Sequence, residues 1–273
     1  MEFRQATTVD LDAVVDLADI VDPPSHGTDV DRDYYASIIE HGRLVVAEAS
    51  EIVVGYCGVI PVATALHVSD LFLHPDAHGR GIGRDLLAAV WHPDAGAPRQ
   101  TFSSMHPAAL PLYIRAGMQP RWPLLYLEGD AGALPRGHFT TRDVTFQEAA
   151  DVEESWLGWN RLDQYRYWSS RPGARTFAVM DAEMPVAVGC LARSRMRFTL
   201  LHLSVVDPSV QVEALSAVGT LTTGDVLVAA PGPSAATPAL VNAGWRIVDQ
   251  DIYCSSDAGL IDATRLLPHP GFV

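Results

Sequence analysis

The stretch Val68-Ser69-Asp70-Leu71-Phe72-Leu73-His74-Pro75-Asp76-Ala77-His78-Gly79-Arg80-Gly81-Ile82-Gly83-Arg84-Asp85-Leu86-Leu87 reads as a strand, a glycine-rich turn and the start of a helix. Ile82, Leu86, Leu87 and Val90 keep the spacing of one buried helix face. Such a turn can align successive main-chain N–H groups with the positive end of the helix dipole, a cradle for phosphate oxygens. Glycines also serve turn geometry alone, so the turn is weak by itself. A dinucleotide-binding reading fails, because the turn does not follow the first strand and the expected βαβ order is absent.

Working toward the N-terminus, Ala65 to Leu73 is a strand preceded by two strand-like runs, Arg43 to Ala49 and Ile52 to Val62, joined by Ser50-Glu51. That pair reads as a hairpin turn, although not with the most favourable residues. Residues 2 to 6 read as a short strand, and Thr8 as the N-cap of a helix burying Leu11, Val14, Val15, Ala18 and Val21. Pro23 to Gly27 reads as a loop and Tyr34 to Glu40 as a second helix. Toward the C-terminus come a strand at Arg99 to Ser104, a helix from Pro107 to Ala116 stopped by Gly117, and a strand near Pro123 to Glu128. Residues 129 to 139, with three glycines and Pro135, read as a linker.

The second half repeats this order. A strand near Phe139, helices over Phe146 to Trp156 and around Asp163, and strands at Thr176 to Met180, Val186 to Arg193 and Phe198 to Val206 follow one another. A helix at Val210 to Val218, a strand at Asp225 to Ala230, a helix ending at Gly244 and a strand at Arg246 to Tyr253 complete it. Internal duplication of one α/β unit explains a chain of 273 residues, long enough for two domains of about 130 residues each.

Composition narrows the chemistry. With 48% apolar and 19% charged residues, the chain is globular in type. Every one of its 19 basic residues is arginine, which excludes a lysine Schiff base or a P-loop lysine. A net charge of −14 opposes general binding to nucleic acid. The apolar runs are too short and too interrupted to span a bilayer, and no secretory signal pattern opens the sequence, so a cytoplasmic location is expected. Cys57, Cys190 and Cys254 are far apart in apolar or strand-like runs, which suits buried thiols rather than disulfides or a metal site.

The opening stretch resembles the acyl-CoA-binding motif of the GNAT superfamily of N-acetyltransferases: an aliphatic strand, Gln or Arg followed by x-x-Gly-x-Gly or Ala, then an amphipathic helix. His78 stands at the Gln/Arg position. His106-Pro107-Ala108-Ala109-Leu110-Pro111-Leu112-Tyr113-Ile114-Arg115-Ala116-Gly117-Met118 is similar to the family's other signature, Asn-x-x-Ala-x-x-Leu-Tyr-x-x-x-Gly-Phe, with His106 for Asn and Met118 for Phe. The resemblance implies an α/β fold of two tandem GNAT-like domains, each a mixed, mostly antiparallel twisted sheet flanked by helices. A catalytic domain is expected over residues 1–130 and a degenerate copy over residues 140–273.

It also implies acetyl-CoA as the acyl donor. Its pyrophosphate would lie on the main chain of His78, Gly79, Arg80, Gly81, Ile82, Gly83 and Arg84, and its pantetheine arm would pair with Leu71, Phe72 and Leu73, with His106 at the second signature. Tyr113 matches the family tyrosine that protonates the departing thiolate; its alternative role is packing on its helix. Asp70 resembles an acidic position that holds or deprotonates the amine, its alternative being a solvated strand-end carboxylate. His67 and His74 flank it as candidate proton relays, while Cys57 has no assignable base to make it a nucleophile.

Residues 1 to 33 carry nine acidic residues against two arginines, an acidic stretch that either attracts a cationic amine or is a solvated helix face. In the second half, Asp207-Pro208-Ser209-Val210-Gln211-Val212 stands where a phosphate loop belongs and contains no glycine. No tyrosine corresponds to Tyr113. The expectation is therefore an N-acetyltransferase acting on a small-molecule amine, monomeric or homodimeric, without metal, nucleic-acid or membrane partners. Acetylation of peptide or protein N-termini and a non-enzymatic acetyl-CoA sensor are the competing readings.

Overall fold

In this computed structural model, residues 1–22, 32–94, 96–193 and 197–272 are described. The loop expected at Pro23 to Gly27, with Asp29 and Asp31, lies outside them. The chain divides into two compact units: Met1–Pro120 with Cys254–Ala258 and Gly271–Val273, and Arg121–Tyr253 with Gly259–Pro270.

The first unit begins with β1 (Glu2–Gln5), α1 (Leu11–Val21) and α2 (Arg32–His41). Thr8 does not cap α1 directly. Thr7 and Asp10 instead close a capping box around a single 3-10 turn, the Thr7 N–H donating to Asp10 Oδ2 at 2.8 Å. Next come β2 (Arg43–Ala49), β3 (Ile52–Val62), β4 (Ala65–Leu73), α3 (Ile82–Trp91), β5 (Arg99–Ser103) and α4 (Ala109–Arg115). Strands run β1-β2-β3-β4-β5, antiparallel except for the parallel pair β4–β5. Ser50 and Glu51 both take positive φ, 51° and 63°, as the tight β2–β3 turn demands.

The sheet is covered by the helices that the apolar spacing marked. Val14, Ile38, Leu86 and Val90 are wholly buried, as are Leu44, Val46 and Tyr56 beneath them. Each such aliphatic side chain stabilises the fold by about 1.5–3 kcal/mol.

β6 (Gln119–Asp130) enters the second unit at Arg121, so the strand that follows α4 is built into that unit. Thereafter come β7 (Thr140–Asp143), α5 (Phe146–Leu157), α6 (Leu162–Ser170), β8 (Arg175–Asp181), β9 (Met184–Arg193) and β10 (Phe198–Val205). They are followed by α7 (Gln211–Val218), β11 (Asp225–Pro231), α8 (Ala236–Asn242), β12 (Arg246–Ser255) and β13 (Leu266–Leu267), which sequence periodicity missed because two residues carry none. The strand order is β12-β6-β11-β10-β9-β8-β7, with β13 on β10 and β10–β11 parallel. The end of β12, from Cys254, belongs to the first unit beside β5, where the Ser256 N–H donates to the Arg99 carbonyl at 2.8 Å.

Candidate active site

β4 and β5 pair only through Leu66, His67 and Val68, opposite Arg99, Gln100 and Thr101. At that point Ser69 is an extra residue against β3, since Val68 faces Val59 and Asp70 faces Gly58. A bulge bends a strand and strengthens its twist. Beyond it, Asp70, Leu71, Phe72 and Leu73 stay paired to β3 while β5 diverges, leaving a fork with an open main-chain edge. The Thr101 hydroxyl donates to the Val68 carbonyl at 2.9 Å, at the apex of this fork.

At the outer end of β4 the glycine-rich turn leads into α3. Gly79 (φ 75°) and Gly81 (φ 79°), the N-cap of α3, occupy the left-handed region, where a side chain would be strained. His78, Gly79, Arg80, Gly81 and Arg84 are exposed and Ile82 and Gly83 buried, so the turn that leads into α3 lies at the surface. Gly83 packs against Leu71, Leu73 and Leu112, where a Cβ would make ordinary contacts at 3.5 Å. His78 Nε2 donates to the Leu73 carbonyl at 3.1 Å, and its ring meets His106 edge-on at 5.6 Å. The two histidines that depart from the family pattern thus sit together.

Asp70 and Tyr113 both lie at the fork, Tyr113 through a hydrogen bond with Thr101 and within range of the charge of Asp70. Asp70 is half-buried, yet its Oδ2 is cut off from solvent and accepts no hydrogen bond. Burial pushes its carboxyl up to about 7, a hydrogen bond donated by Tyr34 opposes the rise, and the charge of Asp22 adds to it. Tyr113, 6% exposed, is raised above the ordinary phenol range by burial, with Cys57 and Asp70 contributing and a hydrogen bond with Thr101 opposing. It therefore keeps its proton at neutral pH. Burial likewise raises Cys57, which removes the thiolate a nucleophile would need. His67 is buried against Phe102 on the paired part of β4, and His74 faces Asp76, its Nδ1 accepting the Asp76 N–H at 3.3 Å.

An aromatic cluster links α2 to β3 and β4, and sequence reasoning missed it. Tyr34 and Tyr35 on α2 meet edge-on, Tyr35 packs on Tyr56, and Tyr56 packs on Phe72, with centroids 5.1, 5.2 and 5.7 Å apart. The Tyr35 and Tyr56 hydroxyls hydrogen-bond each other. Phe272 meets Tyr34 at 5.0 Å, and Gly271 lies so close that a Cβ there would fall 2.3 Å from the Tyr34 hydroxyl. The adjacent tyrosines were the one signal available in sequence.

The second unit repeats the fork and closes it. Its last parallel pair is Leu200 with Val228, Leu201 is the extra residue, and His202 takes the position that Asp70 takes in the first unit. Leu203 and Ser204 then pair with Gly189 and Val188 on one side and with Leu267 and Leu266 of β13 on the other, so no open edge remains. Where a phosphate loop would lie, Asp207 Oδ1 accepts the Ser209 N–H at 2.9 Å, and the buried Gln211 accepts from Ser234 Oγ at 2.7 Å.

A forked sheet with a bulged central strand and a glycine-rich helix start at its mouth defines the class: an acyltransferase of the GNAT fold. Residues 40–119 match the model of the acetyltransferase (GNAT) domain, and the chain thus carries a GNAT acetyltransferase domain. In fold the chain is similar to a Pyrococcus horikoshii protein (TM-score 0.77, 12% identity, 98% of this chain and 93% of that one). It is also similar to a tandem GNAT protein from the clavulanic acid biosynthesis pathway (0.66, 14%, 96% and 99%) and to a GCN5-related N-acetyltransferase from Sphaerobacter thermophilus (0.58, 14%, 93% and 94%). No curated protein matches in sequence. Among the described residues no helix is long and apolar enough to cross a membrane, and no group of His, Cys, Asp and Glu is placed to hold a metal ion.

Proposed function

We propose that the first unit transfers an acetyl group from acetyl-CoA directly to a primary amine on a small cationic molecule. The observation that carries this reading is a strand edge left open beyond the bulge, with Asp70 on that strand and Tyr113 within range of its charge. When bound, acetyl-CoA supplies an activated thioester carbonyl. The main chain of His78 to Arg84 suits its pyrophosphate, because the turn is exposed and left-handed at two glycines that carry no side chain. The main-chain edge of Leu71 to Leu73 suits an amide-rich arm.

Two titrating groups then divide the proton work. Asp70, titrating near neutral pH, accepts the proton that the attacking amine must lose. Tyr113, held protonated, donates to the departing thiolate. Orientation does the rest, since no protein side chain need be acylated. A cationic acceptor is favoured because Asp22 adds its charge at Asp70, and Asp19 and Asp22 act on neighbouring Tyr35.

We assign one such site per chain, the second unit's fork being filled by β13 and its helix start by Asp207. Thiol release from acetyl-CoA, measured across polyamines, aminoglycosides, neutral amines and peptide N-termini, tests the reading. Turnover with the small cations above all others is the expected result. Preference for peptides would replace the acceptor class, and acetyl-CoA binding without turnover on any amine would make the protein a sensor.

A further inference from the structure

The second unit keeps a buried polar cluster at the position corresponding to the first unit's Asp70. His202 Nε2 lies 3.1 and 3.2 Å from the two carboxylate oxygens of Glu153, and Arg161 Nε donates to Glu153 Oε1 at 2.9 Å. Trp168 stacks on the imidazole at 4.7 Å, and Tyr165 stands edge-on to both rings at 5.8 and 5.2 Å. Ser204 follows two residues along β10, on the same side as His202. Glu153, Trp168, His202 and Ser204 are 0% exposed and Arg161 1%.

This cluster is not self-satisfied. Arg161 Nη1 and Nη2, Trp168 Nε1 and Ser204 Oγ are buried donors with no hydrogen-bond partner, and His202 Nδ1 has none either. Glu153, the one acidic acceptor among them, is already engaged by His202 and Arg161. A buried polar atom left unpaired costs about 1–3 kcal/mol, and a charged one more, so a hydrogen-bonding occupant beside this imidazole would be stabilised. The terminal fork of an arginine matches the two oxygens of a carboxylate. The indole N–H of Trp168, whose ring stacks on the same imidazole, and the hydroxyl of Ser204, two residues along the strand from it, are the other unpartnered donors there.

We propose that the second unit binds a small carboxylate at Arg161, Trp168 and Ser204, next to the Glu153–His202 pair. The proposal stands on this cluster alone and does not depend on the chemistry of the first unit. Glu153 already balances the charge of Arg161, so a carboxylate enters together with one proton, carried by itself or taken up by His202. Glu153 from α5, Arg161, Tyr165 and Trp168 from the α6 segment, and Cys190, opposite in register on β9, are the groups that face that imidazole.

The full-length chain is titrated with acetate, and separately with inorganic phosphate, by calorimetry in buffers of differing ionisation heat. Saturable acetate binding with uptake of about one proton is expected. Arg161→Lys, which keeps the charge but loses the fork, should weaken it about tenfold or more, and Trp168→Phe and Ser204→Ala about threefold or more. Should Arg161→Lys fail to unfold cooperatively, the two milder variants decide. The proposal is overturned if acetate gives no saturable heat, if phosphate binds and acetate does not, or if Trp168→Phe and Ser204→Ala leave acetate affinity unchanged.

Discussion

Asp70→Asn should make the protein more stable and less active, with the gain in stability growing as pH rises. The carboxyl of Asp70 titrates at about 7 in the folded chain against an ordinary value of 3.8. An acid whose folded value is raised keeps its proton in the native state when the unfolded chain has already lost it. Stability therefore falls as pH climbs from the ordinary value through the folded one. Asparagine keeps the acceptor for the Tyr34 hydroxyl and carries no charge to desolvate, so it removes that loss. One pH unit of difference corresponds to 1.36 kcal/mol. The substitution should stabilise by about 2 kcal/mol near pH 5 and about 4 kcal/mol near pH 8. Urea unfolding at the two pH values reads the difference as a midpoint shift about 1 M larger at the higher pH, for a slope of about 2 kcal/mol/M. Because two units unfold, hydrogen exchange of β3 and β4 amides assigns the effect to the first of them. A stability change that does not vary with pH, or a loss at both values, would refute the reasoning.

Tyr113→Phe removes the proton donor but keeps the ring, so turnover should fall on the order of 10²-fold with acetyl-CoA affinity nearly intact, read by thiol release and calorimetry. Gly81→Asp places a charge and a Cβ on a left-handed N-cap, so acetyl-CoA binding by calorimetry should vanish. Two equivalent sites in the wild-type titration would contradict the closed fork of the second unit. Replacing Ser50-Glu51 by Asn-Gly relieves two positive φ angles and should stabilise the first unit by about 1–2 kcal/mol, seen as a raised melting temperature; no change would mean that the turn is unstrained.

Much of the fold was legible because it is local. The limits of β2, β3 and β4 fall where alternation and turn residues put them, and the face of α3 follows apolar spacing, while α1 buries Leu17 in place of Val15 and Val21, which stay half-buried. Gly79 and Gly81 were legible for the same reason: a left-handed turn writes itself into residue type. Asp70 and Tyr113 were named by motif, but nothing in the sequence places them at one fork. The packing of the α2 tyrosines with Tyr56, Phe72 and Gly271–Phe272 was invisible, since it arises from contacts between segments far apart in the chain.

The sequence by itself determined the order of strands and helices, the repetition of that order and the single glycine-rich turn. Only the tertiary structure decided which main-chain edges are free. β6 pairs with β11 inside the second unit, β13 covers the far edge of β10, and β4 keeps its edge open beyond Val68. A strand's pattern states which face is buried, but its hydrogen-bonding partner is a long-range choice, made when loops close and packing selects one edge over another. The same holds for titration. Asp70 is an ordinary aspartate in sequence, and burial beneath Tyr34, with Asp22 nearby, moves its carboxyl to neutral pH.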